Sequence, residues 1–312
     1  MIRAETERQG DNPGIERMCS LAGVSRASYY RHWLASRPRE EETALRDAIQ
    51  RLSLVRRKNG YRNGYRVITM QLRREGWSVN HKRVARIRRE DNLLCVSKLS
   101  FRPPTTDRRH EWRVWPNLAR HLVPMAVSQL WVADITYIRL REEFVYLAVI
   151  LDAFSRRVVG WAIADHLRAE LALAALEMAI ANRHVRPGEL VHHSDQGVQY
   201  ACGDYIARLE RAGIQPSMSR AGCPWDNAMA ESFMRTLKRE EVNGRAYRDR
   251  ANVEASIGTF IETIYNRSRL HSALAYLAPT EFEAGQPTVA DLAPVPVPAK
   301  VDRTGPSTGL AL

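Results

Sequence analysis

Residues 144–152, FVYLAVILD, form an unbroken apolar run. A run of that length without polar alternation marks a central strand covered on both faces. The segment before it, SQLWVADITYI, alternates instead, with Val132, Asp134, Thr136 and Ile138 on one face. Arg141-Glu142-Glu143 supply a turn between the two. VVGWAIA (158–164) reads as a third strand, followed by an Ala- and Leu-rich helix over residues 168–182. ELVHHS (189–194) is a fourth strand ending at Asp195, and IQPSMS a short fifth one after a helix from Gln199 to Ala212. AGCPWDN forms a loop, and helices follow over 228–240 and 251–267. Three meandering strands followed by alternating helix and strand predict a mixed α/β sheet.

The front of the chain has another character. Residues 1–120 hold 27 Lys and Arg against 13 Asp and Glu, whereas residues 121–312 hold 20 against 22. The whole +12 charge excess therefore sits in the first part, as expected of a polyanion-binding front on a nearly neutral body. Residues 15–34 read as two short helices around Gly23, with Ser25 placed to cap the second and Arg26, Ser28 and Tyr29 facing outward. That is helix-turn-helix grammar, a pattern many helical hairpins share. A helix from about Glu42 to Arg57 follows. Another runs from Tyr65 to Glu75 and stops at Gly76, and a last one is capped by Asn80 and reaches Glu90. On the last, Lys82, Arg86 and Arg89 line one face beside an apolar side of Val84 and Ile87, which suits docking on phosphates, with Arg83 beside them. The predicted organisation is a helix-turn-helix over 1–38, a basic helix-turn-helix-like domain over 40–98, a linker over 99–122, an α/β core over 123–284 and a Pro- and Ala-rich tail over 285–312 without stable structure.

No stretch approaches about 18 apolar residues, and the N-terminus lacks an apolar signal core, so a cytoplasmic protein with no membrane segment is expected. Cys19, Cys95, Cys202 and Cys223 are scattered without metal-ligand spacing and read as free thiols.

Three carboxylates stand out by placement. Asp134 lies among apolar neighbours in the first strand, Asp195 at the end of the fourth, and Glu231 one turn into the helix after Asn227. Functional groups gather at strand ends in open α/β sheets. At about 100° per residue, Ala230, Phe233, Met234 and Leu237 form an apolar stripe on that helix, with Glu231, Arg235 and Lys238 beside it. Clustered carboxylates suit Mg²⁺, and two such ions about 3.5–4 Å apart can serve both oxygens of a phosphodiester displacement. From position alone, a hydrogen-bonded strand Asp, a turn-shaping Asp and a solvated Glu are equally admissible.

The surrounding words narrow the choice. WVADITYI, HHSDQGVQY and GCPWDNAMAESFMRTLKRE closely resemble the catalytic motifs of DDE transposases of bacterial insertion sequences, nearest to the downstream-frame product of the insertion-sequence-three family. The 35 residues between Asp195 and Glu231 fit that family, as do Lys238, the closing segment YNRSRLHSALAYLAPTEF and the basic segment over residues 64–90. Val198 and Leu270 depart from the usual pattern without touching the three acids.

The resemblance implies a ribonuclease-H-like fold, a five-stranded mixed sheet flanked by helices behind an all-α DNA-binding region. It implies Asp134, Asp195 and Glu231 as catalytic ligands of two Mg²⁺ (or Mn²⁺) ions. Lys238 is implied to contact the transposon end, with Arg235, Lys82, Arg83, Arg86, Arg89, Arg26 and Ser28 as further DNA contacts. His193 and Ser194 are expected to support the site, Asp226 and Asn227 to cap the Glu231 helix, and His192 to be structural. The implied partners are duplex DNA at terminal inverted repeats and targets, further copies of the chain, and an upstream-frame product, separate or fused. A catalytically silent DNA-binding regulator and a nuclease of RNA–DNA hybrids are the rival functions.

Overall fold

The computed structural model describes residues 15–27, 40–55, 63–93, 113–141, 143–220 and 223–285. Ser28, the linker up to residue 112 and the tail from residue 286 lie outside them. A short helix, α1 (Ile15–Leu21), comes first, and Gly23 follows it at φ 65°. Arg26 is exposed beyond that turn.

Three helices form the basic domain: α2 (Glu40–Leu54), α3 (Tyr65–Arg74) and α4 (His81–Glu90). Their apolar stripes meet in a small core of Leu45, Ile49, Leu52, Ile68, Leu72, Val84 and Ile87. Gly76 ends the α3 turn at φ 88°, a backbone state that side chains disfavour. The Asn80 side chain accepts from the Lys82 amide at 2.9 Å and so starts α4, as expected of an N-cap.

The α/β body is one sheet in the order β3-β2-β1-β4-β5. Its strands are β1 (Leu130–Arg139), β2 (Phe144–Asp152), β3 (Val158–Ala164), β4 (Val191–Ser194) and β5 (Gln215–Met218). The first three pair antiparallel, while β4 pairs parallel to β1 and β5 parallel to β4. Strand side chains alternate between two core layers, as the two-residue period requires. Trp131, Ala133, Ala148, Ile150 and Val159 face α5 (Ala169–Asn182). Val132, Leu147, Val149 and Leu151 face α8 (Ala228–Leu237) and α9 (Arg250–Thr259). The stripe of Ala230, Phe233, Met234 and Leu237 is the buried side of α8. Gly160 lets the backbones of β3 and α5 approach, since a Cβ there would sit 2.2 Å from the Ala175 carbonyl oxygen.

Three elements differ from expectation; the helix expected over 251–267 is α-helical over Arg250–Thr259 and continues as a π turn over Phe260–Tyr265. The helix expected over 199–212 is two, α6 (Val198–Ala201) and α7 (Gly203–Arg211), broken at Cys202 with ψ 150°. The break lets Tyr200 and Tyr205 both pack on His192, with ring centroids 6.3 and 5.5 Å away. The helix over 228–240 is α-helical only to Leu237 and continues as a wider π turn over Lys238–Val242. That turn carries Glu240 and Glu241 inward, where Glu240 binds Arg269 and Glu241 takes the Ser256 hydroxyl. The last helix, α10 (Pro279–Ala284), docks the two parts together: Arg74 on α3 bonds both carboxylate oxygens of Glu281 at 3.1 and 2.9 Å. No helix among the described residues is long and apolar enough to cross a membrane.

Candidate active site

The parallel pairing of β1 and β4 sets Val132 beside His193. Asp134 and Asp195 each lie two residues further along, so the register brings Asp134, in the middle of β1, beside Asp195, just past the end of β4. Adjacent strands run about 4.8 Å apart. Asp134 is on the sheet face that α8 covers. The start of α8 is tied to that same place, because Asn227 Nδ2 donates to the carbonyl oxygen of Ala133 at 2.9 Å. Glu231, one turn on, is thereby held near the two aspartates.

The charges bear this out. Asp134 is partly buried, and its carboxyl is raised from 3.8 to about 7. Burial is the main cause, and the fields of Asp195 and Glu231 add to it, opposed by the Ile135 amide and by Lys238. The Lys238 ammonium sits 4.2 Å from the centre of the Tyr137 ring on β1. Each aspartate also accepts a nearby backbone amide, Asp134 within β1 and Asp195 in the loop after β4. Asp134 Oδ1 accepts from the Ile135 amide at 2.8 Å, and Asp195 Oδ1 from the Gly197 amide at 3.0 Å. Among the described residues no three His, Cys, Asp or Glu side chains already stand in an ion cage. Mutual repulsion of like charges and these local amide bonds both act against closer approach. The donor set is nevertheless all hard oxygen, the kind Mg²⁺ and Mn²⁺ take, and a cation would relieve the repulsion that raises Asp134.

The shell beneath the site is ordered by His193. Its Nδ1 lies 2.8 Å from Ser217 Oγ and its Nε2 3.2 Å from Ser219 Oγ. Ser217 Oγ also accepts from the Leu118 amide, and Ser219 Oγ donates to the Ser194 carbonyl. Only the tautomer protonated on Nε2 gives every one of these contacts a donor. Burial pushes the imidazole down to about 4, so it is neutral, and the network fixes the end of β4 just before Asp195. His192 is neutral too, pushed down to about 3 by burial, and bonds Tyr205 at 3.0 Å. The Tyr200 hydroxyl is buried without a hydrogen-bond partner among the described residues, and burial with the fields of Tyr205, Asp134 and Asp195 pushes it well above its ordinary value.

Asp226 and Asn227 do not cap α8 as expected; the helix has no side-chain cap bond. Asn227 is spent on Ala133, and Asp226 is a loop latch. It receives the Arg220 amide and guanidinium at 2.9 and 3.0 Å and Asn117 Nδ2 at 2.9 Å. The Arg220 bonds hold its carboxyl well below the usual carboxylate range. The Ala133 acceptor and the Asn117 donor lie 94 and 109 residues away, too far for local reasoning to find, whereas Arg220 is only six residues back. Asp152 was missed as well. It is buried at the end of β2, beside the start of β1, and accepts from the Ser128, Phe154 and Ser155 amides, which makes it a turn-former. A carboxylate closing an apolar strand was the signal.

The expected DNA contacts divide. Lys82 and Arg89 are exposed on α4. Arg83 and Arg86 are engaged by Glu42 on α2, at 3.1 and 3.0 Å, and Arg86 also by Glu90 at 2.8 Å. Arg235 is exposed on α8, on a face next to that of Glu231.

A sheet of this order, with acids in the middle of its first strand, at the end of its fourth and on the helix after its fifth, defines the ribonuclease-H-like polynucleotidyl transferases. Family models agree. Two described as integrase core domain match residues 125–224 and 212–279, and one described as HTH-like domain matches residues 40–100. The transposase InsF of insertion sequence IS3A from Escherichia coli is 36% identical over 274 residues, 86% of this chain and 93% of that one. An uncharacterized 31 kDa protein of insertion element IS600 from Shigella sonnei is 37% identical over 269 residues, 85% and 97% of the two chains. The chain belongs to the IS3 family of insertion-sequence transposases. Likeness to solved structures is looser: the HTLV-2 integrase catalytic core in complex with magnesium is 15% identical, with a TM-score of 0.38, covering 51% of this chain and 98% of that one.

Proposed function

We propose that this transposase cleaves and joins DNA at the inverted repeats of its element, with Asp134, Asp195 and Glu231 as the ligands of two Mg²⁺ ions. When bound, the ions supply charge stabilisation to the attacking and leaving oxygens of an in-line phosphodiester displacement. The protein's own part is to hold the ligands and the DNA. Asp134 and Asp195 are fixed by adjacent strands, and Glu231 by the Asn227 tie to β1. Lys238, seated on Tyr137, offers its ammonium to a phosphate beside the acids. Neutral His193 keeps the Asp195 strand end in place and adds no charge of its own. Lys82, Arg89 and Arg26 add contacts to the duplex from the helical front. Cleavage at two repeats implies at least two copies acting together in the bacterial cytoplasm, with an upstream-frame product as partner or fusion.

The observation that carries this reading is the juxtaposition of Asp134 and Asp195 by strand register, with both Asp195 and Glu231 acting on the Asp134 carboxyl. The test uses the full chain, Mg²⁺ and duplexes bearing the element's terminal repeats. Wild type nicks the repeat end. Asp134→Asn, Asp195→Asn and Glu231→Gln each lose several kcal/mol of transition-state stabilisation, on the order of a thousandfold in rate, while binding DNA as before. Undiminished cleavage by any of the three rejects the assignment.

A further inference from the structure

A cleft of about 470 Å³ opens beside α8, lined by Ser232, Arg235 and Thr236 of that helix. Five arginines line it: Arg66 from α3, Arg156 from the β2–β3 turn, Arg235 from α8, Arg239 from the π turn after it, and Arg269 from the closing segment, with His271 beside them. Neither Asp134, Asp195, Glu231 nor any other acidic residue is among the lining residues. Ser232, Arg235 and Thr236 put one face of α8 on the cleft, with Arg239 of the π turn beyond it, while Glu231 lies on the neighbouring face of the helix.

The arginines of the basic domain show what a structural role looks like. Arg46, Arg83 and Arg86 converge on Glu42, with Glu90 and Asp91 beside it. The cleft is compensated only in part. Glu240 pairs with Arg269 at 2.9 Å and reaches Arg239 at 3.6 Å. Arg66, Arg156 and Arg235 have no carboxylate within salt-bridge distance among the described residues. Gathering like charges costs stability unless water or an anion screens them. Arg156 is also held at φ 62°, a backbone state that ordinary side chains disfavour, in a turn closed by its amide on the Asp152 carbonyl at 2.8 Å. His271, 3.5 Å from Arg269, is pushed down to about 3, chiefly by burial and further by the Arg269 and Arg156 charges.

We propose that this cleft seats the phosphates of a DNA strand, clamping it between the helical front and the α8 that carries Glu231. The site rests on the reading of the chain as a DNA-cutting enzyme and adds where the backbone runs. Arg66 comes from the front and Arg156, Arg235 and Arg269 from the body, so a strand held here joins recognition by one part to chemistry in the other. Guanidiniums suit the role, since each can bind phosphate through two parallel N–H donors.

The test is the salt dependence of duplex binding by the full chain, followed by fluorescence anisotropy. Each phosphate contact contributes about 0.9 to the slope of log affinity against log salt. The triple variant Arg66→Gln, Arg156→Asn, Arg235→Gln should lower that slope by about 2–3. Asn at 156 is chosen because it tolerates the left-handed backbone. If the triple variant fails to fold, the exposed Arg66→Gln alone should lower the slope by about 0.9. An unchanged slope in these variants, with a lowered slope in Lys82→Gln, Arg89→Gln, overturns the cleft and leaves the enzyme reading intact. An unchanged slope is also the result if the cleft serves a free phosphate or nucleotide. A wild-type chain whose DNA affinity ignores salt overturns both.

Discussion

Replacing Asp134 by Asn should make the metal-free protein more stable while abolishing its chemistry. The carboxyl stands at about 7 in the folded chain against an ordinary 3.8. Each pH unit of that separation is worth about 1.4 kcal/mol, so ionised Asp134 costs the fold about 4 kcal/mol, or about 2–4 given its residual contact with solvent. The pH window follows from the direction of the shift. Below about pH 4 the group is protonated in folded and unfolded chains alike, and it costs nothing. Between about pH 4 and 7 the folded chain keeps a proton that the unfolded chain has released, so stability falls as pH rises. Above pH 7 the full cost applies. Asn retains an oxygen for the Ile135 amide and carries no charge. Urea unfolding in EDTA should therefore show Asp134→Asn more stable than wild type at pH 8, with the gap closing towards pH 4. Adding Mg²⁺ should stabilise wild type and leave the variant where it was. A variant equal to or weaker than wild type at pH 8 in EDTA refutes the reasoning.

Three further perturbations probe the scaffold. Asn227→Ala removes the buried bond to Ala133; it should cost about 1–3 kcal/mol in denaturant unfolding and slow cleavage beyond that loss by freeing the start of the Glu231 helix. Gly160→Ala drives a methyl into the α5 backbone and should cost about 1–3 kcal/mol or more; unfolding within about 0.5 kcal/mol of wild type would show that the helix can simply move away. Glu42→Gln releases Arg83 and Arg86 from their shared carboxylate; a steeper salt dependence of DNA binding is expected, by about 1–2 in slope, with a lower melting temperature, and an unchanged slope would mean those arginines never reach DNA.

The sheet could be read from sequence because its signals are local. The apolar run 144–152 is a strand buried on nearly its whole length, and the alternation around Asp134 put that residue on the side of Val132 and Ile138. The α8 stripe followed from helical spacing, and so did the Asn80 cap. The residues that escaped are those whose partners lie far along the chain. Asn227 looked like a cap because caps are local, yet its amide is used 94 residues back, on Ala133. Arg83 and Arg86 looked like a free basic face because Glu42 lies 41 and 44 residues away. The break at Cys202 depends on where Tyr200 and Tyr205 find His192, which no helical propensity records. The arginine cleft joins residues 66 to 269 and exists only once both parts are folded together.

A Mn²⁺ titration of the full chain, followed by the metal's paramagnetic signal and by diffraction at the manganese edge, bears most directly on the three acids. The expected result is two bound ions ligated by Asp134, Asp195 and Glu231, with binding lost in Asp134→Asn. Ions bound elsewhere, or the same affinity in that variant, would contradict it.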